Sequence, residues 1–146
     1  CMTFLVLASR NPDLFAAEIF VSGQWDVRQL NGLKSQKFFY ITAEGDQRAN
    51  IGQRALMKSF KESHVPFSNA DTWDAKMSQE DYTKAMNTIL MGNSLAHFIQ
   101  FRLGTVLDPG LPVGTPEHMF SFDYAYKIDA LREWLFRQNR KDKRAK

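Results

Sequence analysis

The sequence predicts an α/β protein in which a parallel sheet of about three strands carries helices on both faces. Two observations lead to this class. Short apolar, β-branched segments alternate with amphipathic segments along the 146 residues, and this alternation is typical of parallel sheets. The most continuous of the apolar segments, residues 37–43 (KFFYITA), indicates a strand that is covered on both sides.

The first half of the chain predicts two helices and three strands. The opening residues predict a helix that is apolar nearly all round, as buried helices are. This helix ends near Arg10 because Asn11 precedes Pro12, and a residue before proline is disfavoured in helical geometry. The predictions that follow are a strand over residues 15–22, a polar connection over 24–36, a strand over 37–43, an amphipathic helix over 51–63 and a strand over 67–73.

The second half of the chain is predicted to be mostly helical. Residues 77–103 form the longest helical segment, with Ser78 as its N-cap and Asp81 three residues later as a weak capping box. Gly92-Asn93 is expected to break or kink this helix. Residues 104–116 are rich in Gly and Pro and therefore predict a loop.

The end of the chain carries most of the positive charge. Residues 122–138 predict the last helix and residues 139–146 a basic tail. The last ten residues hold six basic side chains and one acid, so the net charge of +3 belongs to the tail and the body is slightly acidic. A solvated helix end and a site for an anionic partner both remain as interpretations of the tail. The body itself has no basic footprint for nucleic acid.

The composition excludes several classes of protein. With 44% hydrophobic and 13% aromatic residues, the chain can form a core of its own. Its single cysteine excludes an internal disulfide and offers no zinc cluster, and no segment reaches the ~18 apolar residues of a membrane-spanning helix. We interpret residues 1–146 as one partial domain, with residues 77–117 as a helical excursion and loop. The compartment is left open, with the cytoplasm slightly favoured.

Active sites of parallel α/β sheets lie at the carboxyl ends of the strands, and two polar residues are predicted to lie there. Asp46 comes directly after the second predicted strand, and His118 closes the loop before the last helix. A carboxylate followed by a histidine matches two of the three members of a nucleophile–base–acid triad, in the order in which they follow the nucleophile in α/β-hydrolases. The spacing alone is a weak signal. Asp46 is otherwise an ordinary turn residue, and Asp71 and Asp74 are alternative acids near the third predicted strand.

Other polar and aromatic residues have simpler interpretations. Glu117 is expected to be a solvated neighbour of the site or a loop anchor, and His64 a surface histidine at a helix end. His97 is expected to be a satisfied histidine on the long helix, with a pocket-lining role as the alternative. Trp25 and Trp73 lie near strand ends, where they are candidates for substrate binding or, more simply, core residues.

Three segments of the chain resemble α/β-hydrolases of the predicted-peptidase and esterase group. SRNPDLFAAEIFVSG (residues 9–23) resembles the segment just downstream of the nucleophile elbow G-x-S-x-G. FFYITAEGD (residues 38–46) resembles the strand whose terminal Asp is the triad acid, and EHMFSFDYAYKIDALREWLF (residues 117–136) resembles the segment that carries the triad histidine. The resemblance implies an α/β-hydrolase fold with Asp46 as the acid and His118 as the base.

The same resemblance implies that the nucleophilic serine lies three residues before Cys1, together with the oxyanion-hole amides. The chain would then be the C-terminal half of a serine hydrolase that cleaves an ester, or an amide, of a small molecule or peptide. It would be inactive alone and would need no cofactor or metal. Two alternatives remain open: a non-catalytic α/β binding domain, and an N-terminal-nucleophile amidohydrolase that uses Cys1.

The resemblance also places an unpaired strand at the edge of the sheet. In the family fold, the strand over residues 15–22 pairs on one side with a strand upstream of this chain. Its open edge, together with Phe4, Leu5 and Leu7 on the opening helix, predicts an exposed apolar surface. We therefore expect the chain to self-associate, most simply as a two-fold dimer, and a charge at Phe20 to disrupt it.

Overall fold

The structure, a computed structural model, describes residues 2–140, and Asp71 by its backbone only. Cys1 and residues 141–146 lie outside the described residues, and with them the N-terminal-nucleophile alternative and most of the predicted tail. The helices are α1 (Met2–Arg10), α2 (Gln47–Glu62), α3 (Gln79–Ile89), α4 (Phe120–Ala125) and α5 (Asp129–Phe136). The strands are β1 (Glu18–Val21), β2 (Phe38–Ala43), β3 (Phe67–Trp73) and β4 (Ala96–Phe101).

All four strands run parallel, in the spatial order β1-β2-β4-β3. Every residue of β2 is buried, as the apolar run predicts. Helices α1 and α2 pack on one face of the sheet, and α3, α4 and α5 pack on the other. The predicted α/β class, a parallel sheet with flanking helices, is therefore confirmed. None of the helices within residues 2–140 is long and apolar enough to cross a bilayer.

The prediction of one long helix over residues 77–103 is wrong in its second half. Helix α3 begins after the Ser78 N-cap, whose Oγ accepts from the Asp81 amide at 3.1 Å, and ends at Ile89. The chain then turns at the predicted break and forms β4, so the sheet has four strands. AHFIQF is a short apolar run whose periodicity does not separate helix from strand. Hydrogen bonding to β2 on one side and β3 on the other decides for a strand.

The single helix predicted over residues 122–138 is also wrong, because two shorter helices replace it. Ile128 lies between them with extended backbone geometry, which interrupts the helix. Its side chain is fully buried, so packing in the core holds the chain in this conformation. Tyr126, at the end of α4, is 48% exposed, whereas Leu131 on α5 is fully buried.

Strand β1 lies at the edge of the sheet, as predicted, because only β2 pairs with it among the described strands. The expected apolar surface beside it is smaller than predicted. Leu5 and Phe20 are fully buried, since α1 packs on the two 3-10 turns Val27–Gln29 and Asn31–Ser35. The apolar side chains of α1 that are exposed are Met2 (52%) and Leu7 (42%).

His97 is a core residue on β4 rather than on a helix. Its ring stacks on Phe39 with a centroid distance of 4.6 Å and lies perpendicular to the ring of Trp134. The Nδ1 atom has no hydrogen-bond partner within residues 2–140, so the predicted satisfaction of this histidine is not found. Burial lowers the pKa of His97 to about 4, because the low-polarity surroundings disfavour the charged ring.

The buried histidine predicts a loss of stability in mild acid. The unfolded chain takes up a proton at His97 below about pH 6.5, whereas the folded chain does so only near pH 4. Between these values the unfolded state binds more protons, so the free energy of unfolding falls as the pH falls. We expect His97 to contribute a loss on the order of 2 kcal/mol between about pH 7.5 and about pH 5.

Denaturant unfolding of the wild type and of His97→Phe at both pH values measures this contribution. The variant keeps an aromatic ring against Phe39 but does not titrate, so its pH dependence is expected to be shallower by that amount. Equal pH dependence in His97→Phe and the wild type would contradict the expectation.

Candidate active site

Asp46 is held in a buried turn between β2 and α2. Its amide donates to the carbonyl of Ala43 at 2.9 Å, which closes the turn at the carboxyl end of the central strand. Its Oδ1 accepts from the Ala49 amide at 3.2 Å and thereby caps α2. The helix therefore begins at Gln47, four residues before the predicted start, since Asp is a favoured N-cap. Only 6% of Asp46 is exposed.

His118 lies at the end of the loop before α4, where its ring meets Asp46. The Nδ1 atom is 2.6 Å from Asp46 Oδ2. Because a carboxylate only accepts hydrogen bonds, we assign the proton of this bond to Nδ1, which leaves Nε2 with its lone pair. No hydrogen bond to Nε2 is found among the described residues. The side chain is 47% exposed, against 5% for that of Asp46.

Glu117, the neighbour of His118, is a loop anchor. Its Oε2 accepts from the Gly45 amide at 2.8 Å, and its Oε1 accepts from the Gly104 amide at 2.5 Å. The residue is 1% exposed. A Cβ at position 45 would lie 2.5 Å from the carboxyl carbon of Glu117, so any larger residue there would displace this carboxylate.

Two serines that the sequence interpretation missed hold the main chain of His118. Ser121 Oγ donates to the carbonyl of His118 at 2.8 Å. Ser22 Oγ lies 2.6 Å from Ser121 Oγ, and it is the donor of this bond because the Ser121 proton is already used. Ser22 stands at the end of β1 with a φ of +47°, which is unusual for a residue with a side chain.

The Asp–His pair borders a cleft of about 530 Å³ at the carboxyl ends of β1 and β2. Gln24 and Arg48 also line this cleft, and neither was among the predicted site residues. Both follow a strand end within a few positions, which is the signal that could have found them. The residues that line the cleft are Met2, Ser22, Gln24, Gly45, Asp46, Gln47, Arg48, Ala49, Gly114, Pro116, Glu117 and His118.

Several predicted candidates lie away from the cleft. Trp73 is buried on β3 and packs against Tyr82, and Trp25 is 38% exposed; neither indole lines the cleft. The substrate-binding role predicted for the two residues has no support from their positions, because neither side chain lines the cleft. Asp74 follows β3 and accepts from the Lys76 amide at 2.8 Å.

The remaining candidate residues are Asp71 and His64. The side chain of Asp71 is not described. His64 lies after α2 at an exposed position, as predicted. Within residues 2–140, no group of three or more His, Cys, Asp and Glu side chains is placed to hold a metal ion.

The site is defined by its own geometry, a buried carboxylate bonded to a half-exposed imidazole at the rim of a cleft. Such a pair can orient one tautomer of the ring and stabilise the imidazolium that forms when Nε2 takes a proton. Comparison of the chain with protein-family models, with curated proteins and with solved structures gives no match.

Proposed function

We propose that this chain is the C-terminal part of a serine hydrolase of the α/β-hydrolase class, with Asp46 as the triad acid and His118 as the triad base. The observation that carries the proposal is the 2.6 Å contact between Asp46 Oδ2 and His118 Nδ1, with the ring facing the cleft. In a triad the acid fixes the imidazole so that Nε2 can take the proton of the nucleophile.

The proposed serine lies upstream of Cys1, where the family resemblance places it. The position of α1 supports this, because Met2, at the start of the helix, lines the same cleft as His118. A serine on the turn that leads into α1 would therefore approach the cleft from the side of Met2. The amides of an oxyanion hole would come from the same upstream segment.

The proposed reaction is acyl transfer to water. The serine oxygen attacks the carbonyl carbon of an ester, or of an amide, while His118 Nε2 accepts the serine proton. The imidazolium returns this proton to the leaving alcohol or amine as the carbonyl re-forms. Water then attacks the acyl group by the same route and releases the acid. We favour a carboxylic ester as the substrate, with a peptide as the alternative.

An active-site probe tests the location of the nucleophile. In the protein that carries the upstream segment, we expect a fluorophosphonate to label a serine before Cys1, and His118→Ala to abolish labelling. Mass spectrometry of the labelled peptide identifies the site. Cys1→Ala is expected to keep the labelling, which separates the proposal from a cysteine nucleophile.

The chain over residues 1–146 is expected to turn over no p-nitrophenyl ester above the buffer rate, since triad members act as a unit. Turnover by this chain that His118→Ala abolishes would show that the nucleophile lies within residues 1–146. A label on Ser22 would lead to the same conclusion.

The identity of the acid is tested separately. In the active protein, Asp46→Asn is expected to lower kcat by roughly 10³ to 10⁴, because the amide no longer holds the Nδ1-protonated tautomer. The asparagine can still cap α2, so the fold is expected to remain intact. Asp74→Asn is the control and is expected to cost much less. If Asp74→Asn were the more damaging change, Asp46 would not be the acid.

We also propose that the chain of residues 1–146 self-associates through the edge of β1 and the exposed side of α1. The outer edge of β1 has no strand paired with it among the described residues, and such an edge can pair with a second copy across a two-fold axis. Phe20 is fully buried, so a charge there would unfold the chain rather than test the surface.

Sedimentation at micromolar concentration tests the proposal with two substitutions of the same type. Leu7→Glu changes a residue of α1 that is 42% exposed, and Ile51→Glu changes a residue of α2 that is 68% exposed. We expect Leu7→Glu to shift the protein toward monomer and Ile51→Glu to leave the association unchanged. A wild type that is strictly monomeric and well folded would overturn the proposal.

A further inference from the structure

Two consecutive residues of the turn after β2 are bonded to two consecutive residues of the loop before α4. Gly45 donates its amide proton to Glu117 Oε2 at 2.8 Å. Oδ2 of Asp46, the next residue, accepts a hydrogen bond from His118 Nδ1 at 2.6 Å. The two bonds therefore run side by side between the same dipeptides. One of them orients the imidazole, and the other fixes the distance between the two segments that carry the pair.

The second oxygen of Glu117 extends this connection to a third segment. Oε1 accepts from the Gly104 amide at 2.5 Å, at the loop that follows β4. The carboxylate is thus shared between two backbone donors that come from loops after neighbouring strands of the sheet. Since the residue is 1% exposed, these amides take the place of water around the carboxylate.

This arrangement requires a carboxyl group rather than any polar side chain of the same size. A carboxylate accepts at both oxygens, whereas the amide of glutamine accepts at one atom and donates at the other. In Glu117→Gln, one of the two backbone amides would face an NH₂ group. One bond would be lost, and two donors would be buried against each other.

We propose that Glu117 is a positioning residue for His118, which it holds in register with Asp46 through the amides of Gly45 and Gly104. The ring itself is half-exposed; it is bonded to Asp46 and packs in a T-shaped arrangement with Phe122 at a centroid distance of 5.7 Å. The orientation of the His118 ring toward Asp46 therefore depends on the position of the His118 main chain. The consequence for catalysis rests on the proposed hydrolase function; the geometric role does not.

The hydrogen bond between His118 and Asp46 can be followed directly by NMR. In the ¹⁵N-labelled protein, the Nδ1 proton of His118 is expected far downfield, and it is identified by its absence in Asp46→Asn. In Glu117→Gln we expect this resonance to be lost, while the dispersed amide spectrum shows that the protein is folded. The measurement needs neither substrate nor serine, so its failure and the failure of the hydrolase proposal are distinguishable.

Glu44→Gln is the matched control. Glu44 is the residue before Gly45, and its Oε2 accepts one amide, that of Leu103, at 2.9 Å. Glutamine can still accept this single bond, so the downfield resonance is expected to persist. A downfield resonance retained in folded Glu117→Gln would overturn the proposal. So would its loss in Glu44→Gln to the same extent.

If Glu117→Gln does not fold, Glu117→Asp keeps the test decisive. Aspartate retains the charge and both acceptors but is shorter by one methylene, so it cannot reach both amides at their present distances. We expect a folded protein with a weakened or exchange-broadened Nδ1 resonance, and an unchanged resonance would overturn the proposal. In the active protein, the same variant is expected to lower kcat on the order of 10²-fold with KM unchanged, as a small misplacement of a catalytic group does.

Discussion

A buried carboxylate with two different partners connects the fold to the candidate site. Asp46 Oδ1 caps α2 through the Ala49 amide, and Oδ2 meets the imidazole of His118. Both bonds depend on the position at which β2 ends, because the turn that follows it carries the carboxylate. The end of β2 therefore determines where α2 begins and where Asp46 meets the histidine. The same turn borders the cleft, so one short segment serves both the core and the candidate chemistry.

The support around this pair comes from backbone donors and small side chains. Glu117 connects the turn after β2 with the loop after β4, and Ser121 and Ser22 connect the carbonyl of His118 with the end of β1. The loops after three strands of the sheet thus converge on one dipeptide. Polar networks of this kind are rigid only when every member has its partner. The ring of His118, whose side chain is 47% exposed, borders the cleft, whereas the side chain of Asp46 is 5% exposed.

The errors in the sequence interpretation have a common cause. AHFIQF and the segment around Ile128 are short, and their apolar residues suit a helix as well as a strand or a bend. In each case contacts with distant residues determine the secondary structure. β4 pairs with β2 on one side and with β3 on the other, and Ile128 is buried in the core. Trp73, for which a core position was the simpler interpretation, is buried and packs on Tyr82.

The sequence by itself determined the α/β class and the strand β2, and it indicated Asp46 and His118 as candidate site residues. Hydrophobic runs, turn residues and strand-end positions are local signals, and Asp46 and His118 each follow such a signal. Only the tertiary structure decided the fourth strand and the hydrogen bonds that Glu117 accepts from the turn after β2 and the loop after β4. Glu117 is one acidic residue among sixteen in the sequence, and nothing local marks it as shared between Gly45 and Gly104. Hydrogen bonds between segments dozens of residues apart are fixed by the packing of the sheet, and sequence spacing does not encode them.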